Sequence, residues 1–216
     1  MEFMQVHRRQ LLLGSAALVA LPAGAATGRA LARMTEGPFY PPRAWRERWP
    51  DQDADLSRVQ VGRRTLVARG EHLGLELQVA DTDGRAVDGA EVEIWQCDTL
   101  QAYRHPQVPA TPGSFDEGFQ GFGATRSAAG GLARMRSIKP VPYPGRTPHI
   151  HVLLRHASFG ETISQLFLAG DPGNARDFLW RSLAPADRAP LEMTLQSAPQ
   201  DSGLRWLVRH TLVVPA

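Results

Sequence analysis

Leu73-Gly74-Leu75-Glu76-Leu77-Gln78-Val79 sets large apolar residues at every second position and stops at the turn Asp81-Thr82-Asp83-Gly84. A period of two is the signature of a strand with one face buried, and Asp and Gly are the residues that end it. Nothing else in the chain restricts the fold as much, because the pattern recurs. Val92 and Ile94 alternate with Glu91 and Glu93, which places the glutamates on the opposite, solvent-facing side. Further strand segments are expected at 132–138, 149–155, 163–168, 191–196 and 204–214, and one helix at 174–183, ahead of Pro185. Many short strands punctuated by Gly and Pro predict an all-β chain, an antiparallel β-sandwich with long loops. The stretch 101–130 is a long Gly- and Pro-rich loop carrying Tyr103, and loops of that length in compact domains usually serve a function.

The first 32 residues differ in kind. Arg8-Arg9 precede an apolar run that ends near Leu21, and small residues follow at Ala23-Gly24-Ala25-Ala26 and Ala30-Leu31-Ala32. Basic, apolar and small-residue regions in that order read as an export signal, and the paired arginines make it a twin-arginine type, which predicts a periplasmic protein. A membrane anchor needs ~20 apolar residues, about twice what is present, so no stable anchor is expected. The organisation expected is a signal at 1–32, an irregular Pro- and Trp-rich arm at 33–60 that suggests subunit contacts in a homo-oligomer, and a β-sandwich domain at 61–216.

Removing 1–32 takes away three arginines and one glutamate, so the formal charge falls from +2 to zero. A neutral domain without a Lys/Arg block gives no support to nucleic-acid binding. Cys97 is the one cysteine, which excludes an intramolecular disulfide, and its setting in Ile94-Trp95-Gln96-Cys97 is that of a small buried hydrophobe. Serine-hydrolase and nucleotide-binding motifs are absent.

The chemistry concentrates in Pro142-Tyr143-Pro144-Gly145-Arg146-Thr147-Pro148-His149-Ile150-His151. On a strand, His149 and His151 project from one face and could share a metal ion. A phenol with pKa ~10 ionises at neutral pH only beside a strong positive charge, which a trivalent metal supplies. His72, His105, His156 and His210 lack such company and are expected at the surface.

The ordered set Thr35-Glu36-Gly37-Pro38-Phe39-Tyr40, Trp95-Gln96-Cys97-Asp98, Tyr103-Arg104-His105, Phe119-Gln120-Gly121-Phe122-Gly123, Ile138-Lys139-Pro140-Val141-Pro142-Tyr143, Arg146, His149-Ile150-His151 and Ser164-Gln165-Leu166-Phe167 resembles the intradiol ring-cleavage dioxygenases. The likeness runs from about Thr35 to Asp171. It implies a non-haem Fe(III) held by Tyr103, Tyr143, His149 and His151, with Tyr143 the displaceable ligand and Arg146 an active-site cation. It also implies substrate contacts from Gln165, Gly37 and Pro38, the last two on a segment that crosses a subunit interface in protocatechuate enzymes. The reaction implied uses O2 to cleave a small aromatic diol, protocatechuate-like or catechol, between its hydroxylated carbons, giving a cis,cis-muconate. Gly145 stands where those enzymes carry an aromatic residue, which opens the pocket on that side. The connection from Tyr143 to His149 is shorter than theirs, and the strand at 130–135 lacks their aromatics. The competing readings are an exported β-sandwich binding module without catalysis and a zinc hydrolase using His149 and His151. Two tyrosines match zinc poorly.

Overall fold

The alternating segments become the strands of two packed sheets. The computed structural model describes residues 28–49, 51–108, 111 and 113–216; most of the proposed export signal lies outside them. One sheet joins β3 (His72–Asp81), β6 (Leu132–Ile138), β10 (Gln196–Ser197) and β11 (Trp206–Val214) in the order β10-β11-β3-β6. The other joins β4 (Glu91–Trp95), β5 (Phe122–Arg126), β7 (His149–His156), β8 (Gly160–Leu168) and β9 (Glu192–Met193) in the order β5-β4-β7-β8-β9. A separate hairpin pairs β1 (Arg58–Val61) with β2 (Arg64–Val67).

The sandwich is as expected, with most pairs antiparallel. Two pairs are parallel: β11 runs alongside β3, and β9 alongside β8. The expected strand at 191–196 divides, because a 3₁₀ turn closes at Leu191 and the two short strands that follow join different sheets. The expected helix at 174–183 also divides. A 3₁₀ turn at Asn174–Arg176 meets the extended residue Asp177 (ψ 126°), and the helix Phe178–Ser182 starts there. Asp177 is its N-cap, so the chain must leave helical geometry at that residue.

Leu73, Leu75, Leu77 and Val79 of β3 meet Ile150, Val152 and Leu154 of β7 in the core between the sheets. A second apolar cluster lies outside the sandwich, on the far face of β4 and β7, where Trp95, Phe122 and Leu153 pack with Cys97 and Tyr103. Consequently β7 is buried on both faces for its first six residues.

The arm provides that outer cover. Leu31 is 4% exposed and its N–H donates to Val213 O at 2.9 Å; Met34 N donates to Ile163 O at 2.9 Å. The Ser164 hydroxyl donates to Ala32 O. Residues 31–34 are therefore bound into the folded domain, and a leader cut after Ala32 would remove a core side chain. Beyond them the chain crosses the outer face of β4 and β7, and Pro42 opens a short helix, Arg43–Arg46.

This cover overturns the solvent-facing position expected for Glu93. Its side chain is 2% exposed and accepts from Tyr40 Oη (2.7 Å), Arg46 Nη1 (3.3 Å) and Arg155 Nη1 (3.2 Å). A buried carboxylate needs such partners. His105 is likewise buried, beneath Phe39 and Trp45, rather than at the surface.

Candidate metal centre and active site

Three local devices bring four donor side chains together. The first is β7 itself, whose pleat turns His149 and His151 to the outer face while Ile150 and Val152 enter the core. Their ring centroids lie 4.9 Å apart. Trp95, the register partner of His151 on β4, stacks on its ring at 4.7 Å and 12°.

The second device is the turn before β7. Tyr143 and Arg146 exchange backbone hydrogen bonds around Pro144-Gly145. Gly145 has φ +83°, a conformation other residues adopt only under strain. The turn sets Tyr143 and Arg146 side by side, with Arg146 Nη1 donating to Tyr143 Oη at 3.5 Å.

The third device is the start of the long loop after β4. Asp98 Oδ1 accepts from Leu100 N and Ala102 N, and its Oδ2 accepts from Asp116 N at 2.6 Å. These bonds pin the loop, and Tyr103 turns inward to 4% exposure. Its Oη lies 3.2 Å from His151 Nε2 and 3.4 Å from His149 Nε2. The ring of Tyr143 meets Tyr103 edge-on, centroids 5.7 Å apart.

Electrostatics fix the protonation of this cluster. His149 Nδ1 donates to Thr147 O at 2.7 Å, so the lone pair is on Nε2, facing Tyr103. Burial drives the His149 pKa down to about 4, with the Arg146 cation adding to the effect. Burial, then His149 and Arg146, depress His151 well below the usual imidazole value. The phenol of Tyr103 is held well above its ordinary value by burial and by Tyr143. Burial raises Tyr143 as well, and Arg146 opposes that rise.

His149 therefore turns its lone pair to Tyr103 Oη, His151 Nε2 meets the same oxygen, and the buried Nδ1 of His151 has no hydrogen-bond partner. A cation among the four side chains would reverse the cost of ionising the phenols. Among the described residues no three His, Cys, Asp or Glu side chains gather, so a metal here would have to use the tyrosines. Two phenol oxygens and two imidazoles are a donor set that suits a hard, highly charged ion. The residues present fit Fe(III).

The remaining candidates cluster around this core. Arg146 has an 8% exposed side chain; Nε donates to Asp177 Oδ2 at 2.8 Å and Nη2 to Gln165 Oε1. Gln165 is fully buried, and its Nε2 donates to Thr35 O, so it ties Arg146 to the arm. Gly37 has φ +77°, and a Cβ there would stand 3.3 Å from His151 Cε1. Pro38 is exposed, and Phe39 stacks on Tyr103 at 4.7 Å and 18°. This arm covers the site of its own chain. Cys97 is buried and its thiol is pushed up to about 12 by desolvation, as a small hydrophobe requires.

Sequence reasoning missed Asp98, Phe39 and Asp177. Asp177 falls inside the helix expected at 174–183, where the structure instead makes it an N-cap, and Asp98 and Phe39 show their roles only in three dimensions.

A β-sandwich carrying a Tyr₂His₂ cluster on its outer sheet face, roofed by its own N-terminal arm, defines a narrow class of protein. The Dioxygenase family model matches residues 36–206. The beta chain of protocatechuate 3,4-dioxygenase from Burkholderia cepacia is 32% identical over 174 residues, covering 72% of this chain and 74% of that one. Hydroxyquinol 1,2-dioxygenase from Corynebacterium glutamicum is 28% identical over 123 residues, 49% of this chain and 38% of that enzyme, so the match spans less than half of the relative. Among solved structures, the dioxygenase domain of a dioxygenase–carbohydrate-binding fusion from Streptomyces sp. SirexAA-E superposes with TM-score 0.62 at 25% identity, covering 87% of this chain and 99% of that one. The chain belongs to the intradiol ring-cleavage dioxygenase family and is an oxidoreductase of that kind.

Proposed function

We propose that this enzyme uses O2 to cleave a catechol-type ring between its two hydroxylated carbons, releasing a cis,cis-muconate, with non-haem Fe(III) held by Tyr103, Tyr143, His149 and His151. The convergence of both imidazole Nε2 atoms on Tyr103 Oη, within 3.4 Å, carries the reading. Bound ferric iron would supply the charge that keeps two phenols ionised and draws electron density from a catecholate, readying its ring for O2.

The residues divide the remaining work. Tyr103 is sealed between Phe39, Tyr143 and His151 and acts as the fixed donor. Tyr143 is half-buried, beside a cleft of about 320 Å³ that Gly145, Arg146 and Thr147 also line. Its Oη is thus the donor free to move and to accept a proton from a catechol hydroxyl. Arg146 remains cationic and holds Nη1 at that oxygen, where it stabilises negative charge on the substrate. Gln165 keeps the guanidinium in place, and Gly37 and Phe39 keep water from His151 and Tyr103. Membership of a family of enzymes, together with the complete donor set, leaves the binding-module reading without support.

We also read Arg8-Arg9 and the apolar run behind them as a twin-arginine export signal that delivers the folded protein to the periplasm. The packing of Leu31 favours cleavage ahead of it, in the small-residue run Ala23-Gly24-Ala25-Ala26. Amino-terminal sequencing of the periplasmic protein tests both points; a mature chain starting at Arg33, or an intact leader on active cytosolic protein, would refute them.

The test of function is the visible spectrum and iron content of the purified enzyme, followed by O2 uptake with catechol, protocatechuate and hydroxyquinol. A red-brown tyrosinate band, lost in a Tyr103→Phe/Tyr143→Phe double variant, together with uptake on one diol, is expected. A protein that stays colourless after iron loading, or takes up no O2 with any of the three, would sink it.

A further inference from the structure

We propose that Asp177 is a positioning residue for ring cleavage, its carboxylate fixing the direction in which the Arg146 guanidinium points. The inference rests on the proposed role of Tyr143 and Arg146 at the substrate.

The two oxygens of Asp177 have separate duties. Oδ1 accepts from Leu179 N at 2.9 Å and Trp180 N at 3.0 Å, which caps the helix Phe178–Ser182. Oδ2 accepts from Arg146 Nε at 2.8 Å and Thr147 N at 3.0 Å. The cap duty needs one oxygen only, and Ser or Asn would supply it. The second oxygen is spent entirely on the turn that carries Arg146.

Geometry turns this contact into aim. A guanidinium is planar, and its donors form a rigid fork. Asp177 holds Nε and Gln165 holds Nη2, so the plane is set and Nη1 has one place left, beside Tyr143 Oη. The pair is sealed from water, with side-chain exposures of 8% for Arg146 and 0% for Asp177. Phe178, held by the same cap, lies over the guanidinium at 5.5 Å. A buried cation that loses its carboxylate seeks water or another anion. Without Asp177 the guanidinium would swing toward the open side at Gly145, away from Tyr143.

The test uses the full chain with Asp177→Asn and Asp177→Ser, which keep the helix cap and remove the anion. Steady-state kinetics on the diol that the wild type turns over should show kcat lowered about 100-fold with KM within threefold, the pattern of an interaction used in the transition state. The Asp177→Asn/Arg146→Ala double variant should be no slower than Arg146→Ala alone, because the two residues act through one guanidinium. Losses that multiply in the double variant would mean that Asp177 acts other than through Arg146 and would overturn the inference. A crystal structure of Asp177→Asn supplies a readout independent of turnover. Displacement of the guanidinium from Gln165 and Tyr143 is expected, and an unmoved guanidinium overturns the inference. A wild type that cleaves no diol defeats the proposed function, whereas the crystal structure still decides whether Asp177 aims Arg146.

Discussion

Replacing Leu31 by Ala measures how far the folded domain extends toward the amino terminus. Leu31 is 4% exposed within the inter-sheet core, reached through the backbone bond from its N–H to Val213 O. Truncation to Ala removes the burial of most of the side chain and leaves a cavity whose walls are strands that relax little. Such a change costs about 2–4 kcal/mol. For a chain of this size each 1 kcal/mol corresponds to about 2–4 °C, so the midpoint of unfolding should fall by about 4–16 °C. Scanning calorimetry of a chain beginning at Gly28 provides the measurement. Arg29→Ala is the control, because its ion pair with Asp187 is 57% exposed on the arginine side and should change the midpoint by less than about 2 °C. Deleting 28–32 should exceed the single substitution, since the Ser164 hydroxyl, buried at 0%, then loses its acceptor at Ala32 O. A Leu31→Ala midpoint within 2 °C of the wild type would refute the placement of this segment in the core.

Other perturbations report on the site and its cover. His149 has a folded pKa of about 4 against ~6.5 unfolded, so its stabilising contribution is complete above pH ~6.5 and lost as pH falls toward 4. Metal-free protein should lose about 3 kcal/mol over that window by urea titration, and His149→Asn should flatten the slope; an unchanged slope would count against a buried neutral imidazole. Glu93→Gln leaves Arg46, 12% exposed, beside a neutral group and should cost about 3 kcal/mol. A loss below 1 kcal/mol in chemical denaturation would show that the arm is not anchored there. Gly37→Ala demands φ +77° of a residue with a Cβ and presses on His151, so kcat/KM should fall at least tenfold while the unfolding midpoint drops by only a few degrees. Wild-type turnover in that variant would mean that the arm does not rest on His151.

Much of this architecture was legible because strands carry their burial in a two-residue period. Residues 132–138 and the start of β7 at His149 lie where the alternation puts them. The two histidines share a face for the same reason, and Pro144-Gly145 marks the turn that pairs Tyr143 with Arg146. What the chain conceals are contacts between distant segments. Glu93 looks solvent-facing until Tyr40 and Arg46 arrive from the arm. Leu31 looks like the end of a leader, because small and apolar residues serve export signals and sheet edges alike. Asp177 falls inside the helix expected at 174–183, and its hold on Arg146 spans 31 positions and leaves no local pattern.

Tyr103, His149 and His151 stand on the outside of the sandwich, under a cover built from the amino-terminal arm, while the core that secures the fold lies on the opposite side of the same sheet. That separation gives evolution two nearly independent registers. Substitutions between residues 35 and 49 can reshape the roof over Tyr103 and the two histidines without disturbing the inter-sheet packing, and changes between the sheets can proceed without moving the roof. New ring preferences among relatives should accordingly accumulate in the amino-terminal arm, ahead of any change in the strands that bear the histidines.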